Sequence, residues 1–143
     1  MLITRKMDYG LRIMMTLGLR EGERVSGEEL AEAAQVSRGF ALKIVRQLAQ
    51  GGLVLARRGV GGGVDLARPI KEITLHDILS ASGSVRPINL CISEPRACDR
   101  SQACAAHKLL RPVQKMLDAE LSAITLAKLV KEQRRINAKG AKA

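Results

Sequence analysis

At 143 residues and 15.5 kDa the chain has material for one domain and one core, which excludes two large independent domains. Lys and Arg number 24 against 14 Asp and Glu, a formal charge of +10 that points to a polyanionic partner, nucleic acid first. Tyr9 and Phe40 are the only aromatic rings, so stacking on single strands is disfavoured and duplex DNA fits better. No run reaches about 18 apolar residues and the start, MLITRKMDYG, lacks a secretory core, so the expectation is a cytoplasmic protein without a membrane partner.

Thr4 can cap a helix over roughly 5–19, with Leu11, Met14, Met15 and Leu19 recurring at helical intervals. Ser26, three residues before Glu29, forms the pattern of a reciprocal capping box and starts a short helix over about 27–35. Ser37 can cap a third helix, RGFALKIVRQLAQ, whose apolar stripe is Phe40 or Ala41 with Ile44, Val45 and Leu48, and which Gly51 and Gly52 stop. Two short helices around a tight turn, the second carrying Arg38, Lys43, Arg46 and Gln47 on its wetter face, make a helix-turn-helix whose second helix enters the major groove.

LVLAR at 53–57 and VDLA at 64–67 read as strands either side of RGVGGG, where Gly59 and Gly61 to Gly63 allow backbone angles closed to other residues. The pair is a wing, and Arg57 and Arg58 give it affinity for DNA; no Lys-Ser or Lys-Thr follows to make a nucleotide-phosphate loop. Thr74 with Asp77 starts another short helix through Leu79, and 81–103, with Pro87 and Pro95, reads as an irregular loop.

From about Cys104 a long helix follows with Leu109, Val113, Met116, Leu117, Leu121 and Ile124 on one face, and Pro112 distorts it unless it falls in the first turn. First and late helices together carry more apolar length than one small core consumes, so a homodimer is expected. The end, KEQRRINAKGAKA, reads as a frayed basic tail that adds nonspecific attraction to phosphate. Residues 1–68 carry 11 basic and 7 acidic side chains and residues 105–143 carry 9 and 3, so much of the excess charge lies outside the helix-turn-helix.

The three cysteines fall between 91 and 104, an odd and local set that a disulfide framework does not explain. In Cys91-ISEPRA-Cys98-DRSQA-Cys104-AA-His107 the four side chains can serve one inorganic centre. Thiolates bind soft metals and iron-sulfur clusters, and an imidazole can replace one thiolate. Zinc also accepts three cysteines and a histidine, although its motifs usually include a close cysteine pair that is absent here. Arg96, Arg100 and Lys108 around the motif favour thiolate. No nucleophile, base and orienting group stand in a recognisable arrangement, so an enzyme is not expected.

From ITRKMDYGLR through Leu53-Val54 and Arg58-Gly59-Val60-Gly61-Gly62-Gly63 to TLAKLV, the chain resembles the Rrf-type bacterial winged-helix regulators of the IscR, NsrR and RirA kind. The resemblance implies a mainly α fold with a small β wing, a winged helix-turn-helix with a long C-terminal dimerisation helix that crosses its partner. It divides the chain into a DNA-binding domain over 1–80, a cluster-binding loop over 81–103, the dimerisation helix and a short helix over 104–130, and a basic flexible tail over 131–143. It implies DNA contacts by Ser37, Arg38, Lys43, Arg46, Arg58, Gly59 and Gly61, with Arg58 in the minor groove.

By the same resemblance Cys91, Cys98, Cys104 and His107 match the ligand set of a 2Fe-2S regulator. Asp8 before Tyr9 matches the nitric oxide-sensing branch, where an aspartate from the partner subunit completes a 4Fe-4S cluster; both fourth ligands stay open. The six-residue gap between Cys91 and Cys98 departs from the five usual in those branches. The implied function is a dimeric operator-binding regulator, read as a repressor, whose cluster answers redox state, nitric oxide or iron supply; because the cysteine loop leads directly into the expected dimer helix, cluster state is expected to set the spacing of the two reading helices. The alternatives are a winged-helix protein with structural zinc and, of another class, an iron-sulfur carrier or electron-transfer protein.

Overall fold

Side-chain caps set the helix starts. Thr4 opens α1 (Arg5–Leu19), its Oγ1 accepting the Met7 amide at 3.3 Å while its own amide donates to the Met7 sulfur at 3.4 Å. Ser26 opens α2 (Gly27–Ala34), with Oγ accepting from the Glu29 amide at 3.2 Å and Glu29 Oε2 accepting from the Ser26 amide at 2.9 Å. Ser37 caps α3 (Arg38–Gln50), and Thr74 caps α4 (Leu75–Ser82) reciprocally with Asp77. The computed structural model describes residues 3–83 and 85–140.

The inner stripes of the first three helices meet in one core: Ile13, Met14 and Leu17 from α1, Leu30 and Ala34 from α2, and Ala41, Ile44, Val45 and Leu48 from α3 are all buried. Each large side chain so covered contributes about 1.5–3 kcal/mol of hydrophobic stabilisation. Of the two residues offered for the first position of the α3 stripe, Ala41 takes it; Phe40 is partly exposed and meets Tyr9 edge-on at 5.9 Å. Gly10 and Gly18 lie buried on α1 where Ser82 of α4 and Val130 of the last helix press closest.

Strands β1 (Val54–Arg57) and β2 (Gly63–Leu66) pair antiparallel, with Val54 opposite Leu66 and Arg57 opposite Gly63. Val25, between α1 and α2, bridges to Val64 by amide–carbonyl bonds of 3.0 and 2.8 Å, tying β2 to the chain between the two helices.

Beyond α4 the chain makes a single helical turn, α5 (Leu90–Ser93), then 3₁₀ turns at Pro95–Ala97 and Ser101–Ala103, before α6 (Ala105–Ala123) and α7 (Leu126–Gly140). A second short bridge, Thr74 with Thr125, fixes where α7 returns: the Leu75 amide donates to the Ile124 carbonyl and the Leu126 amide to the Ile73 carbonyl, both at 2.7 Å. Leu126 and Val130 then bury against Gly18 of α1.

Three sequence expectations need correction. The fourth helix runs to Ser82 rather than Leu79, because Ile78, Leu79 and Ser82 all bury. The segment through Ala103 contains local turns rather than irregular chain throughout; Ser84 lies outside the described residues. The expected flexible tail from 131 is helical to Gly140. Its Lys, Glu, Gln and Arg residues are good helix formers, and it continues a helix already nucleated by the docking of Leu126 and Val130. Pairs of Glu132 with Arg135 and Gln133 with Asn137 extend along it; residues 141–143 lie outside the described residues. Pro112, eighth in α6, does not end that helix, although it has no amide to offer the carbonyl four residues before it.

Candidate nucleic-acid interface and cysteine site

Helices α2 and α3 are joined through Gln35, a left-handed residue at φ 57° and ψ 48°, whose turn lets the Val36 amide donate to the Ala31 carbonyl at 3.0 Å. The outer face of α3 then carries Gly39, Leu42, Lys43 and Arg46, all exposed. Arg38 is also exposed, 3.8 Å from the Glu28 carboxylate, a surface pair that leaves the guanidinium available. Ser37 is exposed at the helix start, but its hydroxyl already accepts the Phe40 amide at 3.4 Å.

At the hairpin tip Arg57, Arg58, Gly59, Val60 and Gly61 are exposed. Gly59 at φ 94° and Gly61 at φ 73° occupy backbone space that side chains avoid, while at Gly62 a Cβ would stand 2.5 Å from the Arg57 carbonyl oxygen. The tip is held from behind by Arg24, whose NH1 donates to the Gly61 carbonyl at 3.0 Å and whose Nε meets the Asp65 carboxylate at 3.1 Å. Sequence reading missed Arg24, since no spacing motif links it to residues about forty positions on. Below it Arg20 binds Glu29 and Glu23. The Arg20 hydrogen bond, then those from Ser26, hold the Glu29 carboxyl at about 2, and the Arg20 guanidinium is correspondingly raised.

All three cysteines are free: Cys91 lies in α5, Cys98 is exposed between the 3₁₀ turns, and Cys104 precedes α6. His107, in the first turn of α6, brings Nδ1 to 3.4 Å from Cys91 Sγ. Among the described residues no three His, Cys, Asp or Glu side chains converge closely enough to hold a metal ion. Asp8 sits in the first turn of α1 with its carboxylate 2.9 Å from Arg12 NH2, and Arg12 also donates to Gln35 Oε1 at 3.3 Å.

Two polar residues that the sequence did not flag hold the cysteine segment. Ser101, buried, donates to the Pro95 carbonyl at 2.7 Å. Gln114, buried on α6, accepts the Ile88 amide at 2.8 Å and donates to Asp118 at 2.8 Å. Beside them an open cleft is lined by Cys104, His107, Lys108, Arg111 and Lys115, placing cationic side chains near two of the candidate ligands. On α6, Leu109, Val113 and Met116 recur at i, i+4 and i+7 and remain exposed.

A helix pair with a basic outer face, flanked by a glycine-tipped hairpin, places the protein in the winged helix-turn-helix class, whose second helix and wing address duplex DNA. The chain belongs to the Rrf2 family, described as iron-dependent transcriptional regulators, whose profile matches residues 3–132. Its members are regulators of transcription rather than enzymes. Solved structures agree. CymR of B. subtilis, a global cysteine regulator, is 25% identical over 92% of this chain and 98% of its own, with a TM-score of 0.73. IscR of T. potens is 25% identical over 93% and 88%, with a TM-score of 0.69. The oxidized form of Staphylococcus aureus CymR is 27% identical over 91% and 96%, with a TM-score of 0.68. Among the described residues no helix is long and apolar enough to cross a membrane.

Proposed function

We propose that this Rrf2 regulator is a cytoplasmic homodimer that represses transcription from a duplex operator under the control of an iron-sulfur cluster. Cys91, Cys98 and Cys104 would hold the cluster, with His107 or Asp8 of the partner subunit as the fourth ligand. The observation that carries this reading is the approach of His107 Nδ1 to 3.4 Å from Cys91 Sγ, on a segment whose other two cysteines are also free. The donor set fits chemically: soft thiolates with an imidazole suit an iron-sulfur centre, and bringing Cys98 and Cys104 to the pair requires the turns that carry them to rearrange. When bound, the cluster would supply a centre sensitive to oxidant, nitric oxide and iron supply.

The rest of the mechanism lies in the chain. Gln114 ties the cysteine segment to α6, and the apolar stripe of Leu109, Val113 and Met116 supplies a seam for a second copy. A change in the cysteine segment is thereby passed to the helix that would set the separation of the two α3 helices. Arg38, Lys43 and Arg46 of α3 serve the major groove and its phosphates with Ser37 at the helix start; Arg58, Gly59 and Gly61 carry the wing to the minor groove. A tenfold change in operator affinity requires only about 1.4 kcal/mol of coupling.

The test is anaerobic reconstitution followed by absorption spectroscopy, native mass spectrometry and duplex binding before and after oxidant, nitric oxide or chelator. The expected result is a dimer carrying iron and sulfide that is lost in Cys91→Ser, Cys98→Ser and Cys104→Ser, with duplex affinity that changes with cluster state. His107→Ala and Asp8→Ala identify the fourth ligand. Bound zinc without sulfide, or equal affinity in every state, would overturn the reading.

A further inference from the structure

On the outer face of α3 one side chain is explained by neither charge nor capping. Leu42 is 43% exposed, at the i+3 position from Gly39 and beside Lys43, with Arg46 one turn on. The core does not need it, because Ala41, Ile44, Val45 and Leu48 fill the inner face. Nor does it hang loose: its Cδ2 lies over Gly27, where a built Cβ would stand only 3.0 Å away. The missing side chain at the first residue of α2 is the seat that aims Leu42.

Gly39, one turn earlier, adds a second observation. Nothing stands within 4 Å of the place its Cβ would occupy, so packing within the chain does not ask for glycine there. Within a helix glycine costs roughly 0.5–1 kcal/mol relative to alanine, and its usual return is close approach of the backbone to something else. The face therefore joins a bare backbone patch, a seated apolar group and two neighbouring cations.

In the major groove the base edges offer hydrogen-bonding atoms and one apolar group, the C5-methyl of thymine. A leucine, which can neither donate nor accept, can read only that group. We propose that Leu42 is a specificity-determining residue, packing its isobutyl group on a thymine methyl while Gly39 lets α3 approach and Lys43 and Arg46, beside it on the exposed face, hold the DNA. The assignment rests on α3 being the helix that enters the groove.

Duplexes bound by the full-length protein are selected from a randomised library, and each thymine of the selected site is replaced singly by uracil, which removes the methyl and keeps the hydrogen-bonding edge. At one thymine per half-site the replacement should weaken the unmodified protein about fourfold, the value of one buried methyl. Leu42→Ala should bind both duplexes about as tightly as the unmodified protein binds the uracil duplex, which an unfolded variant cannot do. If Lys43→Ala and Arg46→Ala weaken binding but every uracil duplex is neutral, or Leu42→Ala keeps the full uracil sensitivity, the assignment of Leu42 is wrong. If those two cation variants bind undiminished, the placement of α3 fails and the inference falls with it.

Discussion

Replacing Gln114 by Met keeps an unbranched chain of similar length in a buried position while removing both hydrogen bonds that Gln114 makes, to the Ile88 amide and to Asp118. A net hydrogen bond is worth about 0.5–1.5 kcal/mol, and leaving a fully buried donor unpaired costs about 1–3 kcal/mol. Ile88 is partly exposed, so its amide regains water and the lower range applies. The two losses together come to about 1–2 kcal/mol, or roughly 5- to 30-fold more frequent opening of the segment that α6 anchors. Hydrogen exchange read by mass spectrometry should show that acceleration in peptides covering residues 88–94. Amides of α1 and α3, whose core Gln114 does not touch, should keep their protection. Unchanged exchange at 88–94, or equal acceleration throughout the protein, would refute the assignment of Gln114 as the anchor of the cysteine segment.

Arg24→Ala should change global stability by less than about 1 kcal/mol, since its partners lie near the surface. Freed of the tether to Gly61, the wing tip should exchange faster and duplex affinity should fall; unchanged affinity in a binding titration would remove Arg24 from the reading machinery. Gly10→Ala should destabilise by about 1–3 kcal/mol, because the new methyl would stand 2.0 Å from Ser82 Oγ and 2.6 Å from Ser82 Cβ. In a double-mutant cycle Ser82→Gly should recover more of that loss than Ser82→Ala, and strictly additive denaturation energies would contradict the clash. Glu29, held at about 2 instead of its ordinary 4.5, contributes stability that is complete above 4.5 and is lost as pH falls toward 2. Glu29→Gln should therefore flatten the acid side of the Tm against pH curve in that window, and a parallel curve would count against the Arg20 pair as its cause.

The first three helices were legible because each announces itself locally: Thr4, Ser26 and Ser37 stand at the caps, and apolar residues follow at helical intervals. The wing was legible for a similar reason, since glycines at 59 and 61–63 fall between two short apolar runs. Helix α7 beyond Lys131 was not, because its order comes from Leu126 and Val130 docked on α1, a contact with no local signature. Arg24 and Gln114 escaped for the same reason; their partners are distant in sequence and ordinary in type. The cysteines were conspicuous by spacing, yet the pairing of Cys91 with His107 across sixteen positions depends on α5 lying beside α6. Asp8 stood out as a ligand only through resemblance, and in the folded chain it faces Arg12.

The short bridge between Thr74 and Thr125 also bears on how such a protein can diversify. It closes residues 75–124 into a loop whose two ends meet at one point. Past α4, the cysteine turns and α6 are therefore an insertion in a reader assembled from both ends of the chain. Closing a longer loop costs only about 0.6 kcal/mol per doubling of length, so residues can be gained or lost between the cysteines with little effect on the helix pair or the wing. The six residues between Cys91 and Cys98 fall within this insertion. One DNA reader can in this way accept successive sensing chemistries without being rebuilt.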